Sequence, residues 1–193
     1  MRGDPDLSNG WEAVVASFLA VRSDIGAGTV REWAATFPKG AAIVDLGCGS
    51  GVPVSQVLIE AGLDVYGIDA SPGMVAAFRE GFPGVPVECE AVERSTFFDR
   101  SFDGAVAWGL MFLLPVEVQQ AVIHRVAGAL HPGGRFLFTA PGQACSWVDA
   151  STGRMSQSAG STAYTRMLAE AGLALTDERE DEGENHYYEA VRI

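Results

Sequence analysis

The sequence predicts a doubly wound α/β fold, a three-layer αβα sandwich around a parallel sheet. Three observations predict it. From Ala41 onward, short β-branched runs alternate with longer stretches of helical character, as in parallel strands joined by crossover helices. The first run, Ile43-Val44-Asp45-Leu46, opens into the alternating glycines Gly47, Gly49 and Gly51. The second, Val65-Tyr66-Gly67-Ile68-Asp69, ends in an acid.

Taken in order, strands are expected near 42–46, 65–69, 85–89, 103–108 and 134–139, with helices over 53–61, 72–80 and 116–130. Pro53 and Pro72 are expected at first helical positions, where a missing N–H costs nothing, and Ser71 is a candidate N-cap. Gly81, Gly84, the run His131-Pro132-Gly133-Gly134 and Gly172 mark stops and turns. A helix near 161–171 and two late strands, near 173–178 and 186–192, complete the sheet, with the acidic segment Glu180-Asp181-Glu182-Gly183-Glu184 between them. Residues 141–160 form a long polar connection. Ahead of the sheet, stretches 11–22 and 29–37 repeat apolar residues at helical spacing, either as a cover for the ligand edge or as plain packing. Residues 1–193 therefore read as one domain, with 1–40 a helical cap or lid and 41–193 the α/β core.

Composition narrows the partners. Apolar residues make up 48% and charged residues 20% of the chain, an ordinary globular balance. Thirteen basic against twenty-five acidic residues give a net charge of −12, and the only lysine is Lys39. Phosphate backbones and anionic membranes need clustered Lys and Arg, so a small molecule is the expected partner, with nucleic acid and membrane disfavoured. The first ten residues lack the apolar core of a secretion signal, and no run reaches membrane-spanning length. Cys48, Cys89 and Cys145 have neither disulfide nor zinc spacing, so no metal and a reducing, cytoplasmic setting are expected.

The glycine run carries the chemistry. Glycine lets a backbone turn sharply and approach a ligand closely, and the N–H groups of the loop and following helix face a negative group. A phosphate-binding P-loop needs Lys and Ser/Thr after its last glycine, whereas Val52-Pro53 follow here. A dinucleotide fingerprint needs a glycine at Val52 and an apolar residue at Asp45. A carboxylate at Asp45 instead suits a ligand ammonium, while the N–H groups suit a carboxylate; an amino acid carries both. Asp69 stands at the carboxyl end of the second strand, where ligands bind in open α/β sheets and an acid suits ribose hydroxyls.

With these residues in place, the chain resembles the class I S-adenosylmethionine-dependent methyltransferases. Val44-Asp45-Leu46-Gly47-Cys48-Gly49-Ser50-Gly51 is similar to their first motif, and Gly67-Ile68-Asp69-Ala70-Ser71-Pro72-Gly73-Met74-Val75 to their second. The segments SFDGAVAWG and LHPGGRFLFTAP, at 101–109 and 130–141, resemble the fourth- and fifth-strand motifs. The resemblance covers about residues 40–141 and implies a Rossmann-like sheet of seven strands, mostly parallel with one antiparallel. It implies an enzyme that uses S-adenosyl-L-methionine and leaves S-adenosyl-L-homocysteine. Asp45, Gly47, Cys48, Gly49 and Gly51 would surround the methionine part, Asp69 hold the ribose, and Ala70 and Met74 border the adenine. One departure stands out: Ala91 takes the place of the usual acid after the third strand, leaving adenine to backbone groups at Ala91 and Val92, with Glu90 or Glu93 as a substitute.

Methyl transfer demands alignment and exclusion of water more than any obligatory side chain. After the fourth strand the chain reads Trp108-Gly109-Leu110-Met111-Phe112, without the Asn/Asp-Pro-Pro motif of enzymes acting on nucleobases or glutamine amides. Trp108 is a candidate wall of the cofactor or acceptor cavity, its other reading being core. Trp147, in the polar segment with Cys145, Asp149, Arg154 and Gln157, and His186 and Tyr187 in Glu184-Asn185-His186-Tyr187-Tyr188 are candidates for the acceptor side. His186 is the candidate base, against plain strand pairing. Arg22, His124 and His131 receive no role. The reading is methyl transfer to a small molecule. The alternatives are a non-catalytic nucleoside- or S-adenosylmethionine-binding module and a methyltransferase for protein side chains.

Overall fold

The computed structural model describes residues 6–21 and 23–193. Arg22 lies outside them, as do the first five residues of the expected helical cap.

The β-branched runs become the centre of a sheet because both their faces find apolar cover. Strand β1 (Ala42–Leu46) is buried at all five positions. Side chains alternate along a strand. Ala42, Val44 and Leu46 therefore meet Val122, Ile123 and Val126 of α5 (Val116–Ala129) and Tyr164, Met167 and Leu168 of α6 (Ser161–Glu170). Ile43 points the other way, to Val30, Trp33 and Ala34 of α2 (Ala27–Ala34) and Val54, Val57 and Leu58 of α3 (Val54–Glu60). The three layers follow from that division.

The remaining strands are β2 (Asp64–Asp69), β3 (Val87–Cys89), β4 (Phe102–Ala107), β5 (Leu130–Thr139), β8 (Leu173–Glu180) and β9 (His186–Arg192). Their order is β3-β2-β1-β4-β5-β9-β8. All are parallel except β9, which runs antiparallel to both β5 and β8. The expected seven-stranded, mostly parallel sheet with one antiparallel strand is present. Helix α4 (Pro72–Gly81) begins with Pro72 at its first turn and Ser71 as N-cap, whose side chain accepts from Met74 N.

Several local expectations are corrected. Residues 131–134 are not a turn outside the sheet. Leu130 already pairs with Phe102, and regular pairing resumes at Gly104↔Arg135 after an irregularity. Pro53 precedes the first turn of α3 rather than lying in it. The stretch 11–21 is a 3-10 turn (Trp11–Val14) followed by α1 (Val15–Ala20), and α2 starts at Ala27 rather than 29. The connection 141–160 contains a separate antiparallel hairpin, β6 (Cys145–Val148) with β7 (Met155–Ser158). Its strands are only four residues each and show no regular apolar alternation that would have announced them. Among the described residues, no helix is long and apolar enough to cross a membrane.

Gln119, fully buried on α5, ties that hairpin to the core. Its Nε2 donates to Leu114 O (2.8 Å) and Gln157 O (2.9 Å), and its Oε1 accepts from Tyr164 Oη (2.6 Å). Replacing it strands buried polar groups, each costing about 1–3 kcal/mol. Gln119→Leu is expected to lower unfolding free energy by about 3 kcal/mol. Urea denaturation measures the loss, and hydrogen exchange should localise loosening to β6 and β7.

Candidate functional site

A cavity of about 290 Å³ opens at the carboxyl ends of β1, β2 and β4. Between β1 and β4 the strand order reverses, the place where ligands bind in open α/β sheets. Its floor is the glycine loop. Gly49 has φ 55°, and a Cβ there would touch nothing nearer than Met74 Sδ at 4.0 Å, so a side chain would project into space the cavity needs. Gly51 serves packing instead: its Cβ would lie 2.5 Å from the Phe82 ring and 2.9 Å from that of Phe78. It does not line the cavity, unlike Gly47, Cys48 and Gly49.

Asp69, at the end of β2, locks this loop. One carboxylate oxygen accepts from Gly49 N and the other from Ser71 N, both at 2.8 Å. Burial raises its pKa above the ordinary carboxylate range, against these two bonds that lower it. The loop's N–H groups are less available than the sequence implied. Those of Gly47 and Cys48 donate to Ile68 O, that of Gly49 to Asp69, and that of Gly51 to Cys48 O.

Asp45 lies on the face of β1 that meets α3, and there Ser55 donates to its Oδ2 at 2.6 Å. Burial, opposed by that bond and reinforced by Asp69, pushes its pKa up to about 7. Two carboxylates, Asp45 buried and Asp69 half-buried, thus face one cavity. Among the described residues lining it there is no Lys, Arg or His. Burial also raises the Cys48 thiol, with Asp45 and Asp69 adding to the effect, so it stays protonated.

Ala70, Met74, Glu90, Ala91, Val92, Glu93 and Trp108 also line the cavity. Tyr187 does not: it is buried behind Trp108, its hydroxyl accepting from Trp108 Nε1 at 2.7 Å and donating to Asp181 Oδ2 at 2.8 Å. His186, one residue earlier on the strand, is turned away, its Nε2 2.9 Å from Glu178 Oε2. Trp147 stands outside, its ring centroid 5.5 Å from that of Phe112, which does line the cavity. His186, Tyr187 and Trp147 thus stand outside the residues that line the cavity.

Residues that the sequence left unassigned complete the walls. Leu7, Asn9, Trp11 and Phe18 come from the N-terminal segment, Asp149 from the turn between β6 and β7, and Asn185 from the turn before β9. Glu12 anchors that segment, its Oε2 accepting from Ser71 Oγ at 2.5 Å and Gly73 N at 2.9 Å. Only the helical spacing of 11–21 hinted at this cover. Trp11 Nε1 is buried and has no partner among the described residues.

Residues 43–134 match a family model described as a methyltransferase domain. No curated protein matches the chain by sequence. Solved structures share the fold. The CcbJ methyltransferase of Streptomyces caelestis has a TM-score of 0.75 at 15% identity over 97% of both chains. Magnesium protoporphyrin IX methyltransferase from Synechocystis PCC 6803, with bound SAH, has a TM-score of 0.75 at 18% identity over 97% of both chains. For the 1,6-didemethyltoxoflavin-N1-methyltransferase of Burkholderia thailandensis, bound to 1,6-didemethyltoxoflavin and S-adenosylhomocysteine, the TM-score is 0.71 at 18% identity, over 96% of this chain and 90% of that one.

An acid whose pKa is higher folded than unfolded holds its proton more tightly in the folded state. Stability from such a group falls as pH rises from the ordinary carboxylate range, near 3.8, toward about 7. Urea unfolding of the ligand-free protein at about pH 5 and about pH 7.5 should show this fall, and Asp45→Asn should reduce it. An identical pH slope in the two proteins would sink the assignment.

Proposed function

We propose that the chain is a class I S-adenosylmethionine-dependent methyltransferase, supported by the methyltransferase-domain match over residues 43–134, and that this cavity takes the methyl donor beside a small-molecule acceptor. The carrying observation is the pair of carboxylates, Asp45 buried and Asp69 half-buried, at the ends of adjacent strands in a cavity whose described lining holds no cationic side chain. That donor set fits a ligand with a sulfonium, an ammonium and a ribose diol, and it opposes the phosphates of a dinucleotide. Two further features fit: the open space over Gly49, and the unpartnered indole N–H of Trp11.

When bound, S-adenosylmethionine supplies an electrophilic methyl group for in-line displacement. Asp45 pairs with the ammonium, Ser55 holding its carboxylate in place. Asp69 turns its remaining lone pairs to the ribose hydroxyls, its backbone bonds keeping it aimed. Met74, Ala70, Ala91 and Val92 enclose the adenine, with Glu90 and Glu93 at its edge. Trp11 donates to a ligand acceptor atom, since leaving its N–H dry and unpaired is costly. Residues 7–18 act as the cap of a single domain, excluding water from the reacting groups. The thiols of Cys48, Cys89 and Cys145 are free, in keeping with a cytoplasmic protein.

Binding a cation beside Asp45 favours its ionised form, so titration with S-adenosylmethionine near pH 7 should release a fraction of a proton. Calorimetry in two buffers of different ionisation enthalpy reads it. Asp45→Asn is expected to bind at least about tenfold more weakly and to release less. Full affinity in that variant, with unchanged proton release, would show that Asp45 does not meet the ligand.

A further inference from the structure

The β4 side of the cavity, opposite the ribose acid, has a one-sided hydrogen-bonding character. Asn9 and Asn185 line it, and both spend their amide N–H groups inside the protein. Asn9 Nδ2 donates to Leu113 O at 2.9 Å, and Asn185 Nδ2 donates to Asp181 Oδ1 and Oδ2 at 3.0 and 2.9 Å. Their carbonyl oxygens have no partner among the described residues. Asp149 lines the same side. Its Oδ1 accepts from Ser151 N, Thr152 N and Thr152 Oγ1, while no described residue donates to Oδ2. The Trp108 N–H, the other side-chain donor here, is taken by Tyr187. What this side still offers through side chains is acceptors, one of them charged. Around them stand Phe112 and the face of Trp108, both half-buried.

Such a wall is complementary to a donor and hostile to an anion. A carboxylate or phosphate there would meet three lone-pair-bearing groups and no counter-charge. An ammonium would satisfy all three and rest against aromatic faces. Resting on the methyl-donor reading of this cavity, we propose that the acceptor is a small, partly apolar amine, bound as its ammonium by Asp149, Asn9 and Asn185. It gives one proton to water, turns the freed lone pair to the sulfonium methyl, and leaves as the methylated ammonium beside S-adenosylhomocysteine. Asp181 is the positioning residue. It accepts from both the backbone N–H and the side chain of Asn185 and from Tyr187 Oη, so it fixes Asn185 and, through Tyr187, Trp108.

The test is binding to protein saturated with S-adenosylhomocysteine, followed by saturation-transfer NMR with benzylamine, benzyl alcohol and benzoate as probes. Benzylamine is expected to bind, benzyl alcohol at least about tenfold more weakly, and benzoate not at all. Asp149→Asn keeps an oxygen to hold its turn and loses only the charge, so it should weaken benzylamine at least about tenfold while leaving S-adenosylhomocysteine affinity unchanged. Benzoate or the alcohol binding as well as the amine, an unaltered amine affinity in the variant, or no amine binding to the loaded protein would each overturn the acceptor assignment alone. Folded protein that fails to bind S-adenosylhomocysteine would overturn the cofactor reading and this inference with it.

Discussion

One half-buried carboxylate organises the ligand side of this molecule. Asp69 takes Gly49 N on one oxygen and Ser71 N on the other, so a loop leaving β1 and a helix start following β2 are held to a single group. Ser71, so placed, caps α4 and passes its own hydroxyl to Glu12. Glu12 in turn brings the N-terminal segment across the cavity mouth, where Trp11 and Phe18 pack edge to face at 5.0 Å. Floor, ribose acid and roof are successive consequences of one set of charge-assisted bonds.

That arrangement leaves the ligand-free protein with an electrostatic problem. Asp45 and Asp69 line the same cavity, the Asp69 charge adds to the burial that raises Asp45, and Ser55 offers Asp45 a single hydrogen bond. A fold selected for stability alone would place apolar residues here. A carboxylate shifted as Asp45 is, in a cleft, suits a ligand of opposite charge, which would favour its ionised form. On the far side, Asn185 and Tyr187 spend their side-chain N–H and O–H groups on Asp181, which removes those donors from the cavity and so sets its polarity without any basic residue.

The sheet was legible because burial on both faces writes continuous apolar runs, and because glycine and proline mark where those runs stop. Asp45 and Asp69 were legible for a related reason: an acid at the end of such a run is out of pattern. What the sequence could not display was contact across distance. Ser55 reaches Asp45 from the next helix, and Glu12 reaches Ser71 over fifty-nine positions. Strand phase was equally hidden: in Glu184–Tyr188 alternation buries Tyr187 behind Trp108 and turns His186 toward Glu178, so the most reactive residue type is the one facing away. The β6–β7 hairpin escaped notice because its strands are only four residues long, although Ser151-Thr152-Gly153 is a turn signal. Gly51 shows the converse: a motif position whose reason is the Phe78 and Phe82 rings rather than the ligand.

The central claim is that the acids Asp45 and Asp69, at the ends of β1 and β2, select a cationic nucleoside over an anionic one. Equilibrium titration of the purified protein with S-adenosylmethionine and, in parallel, with NAD tests it most directly. One-to-one binding of S-adenosylmethionine with no measurable uptake of NAD is the expected result. Comparable binding of NAD, or folded protein that takes up neither, would contradict the account.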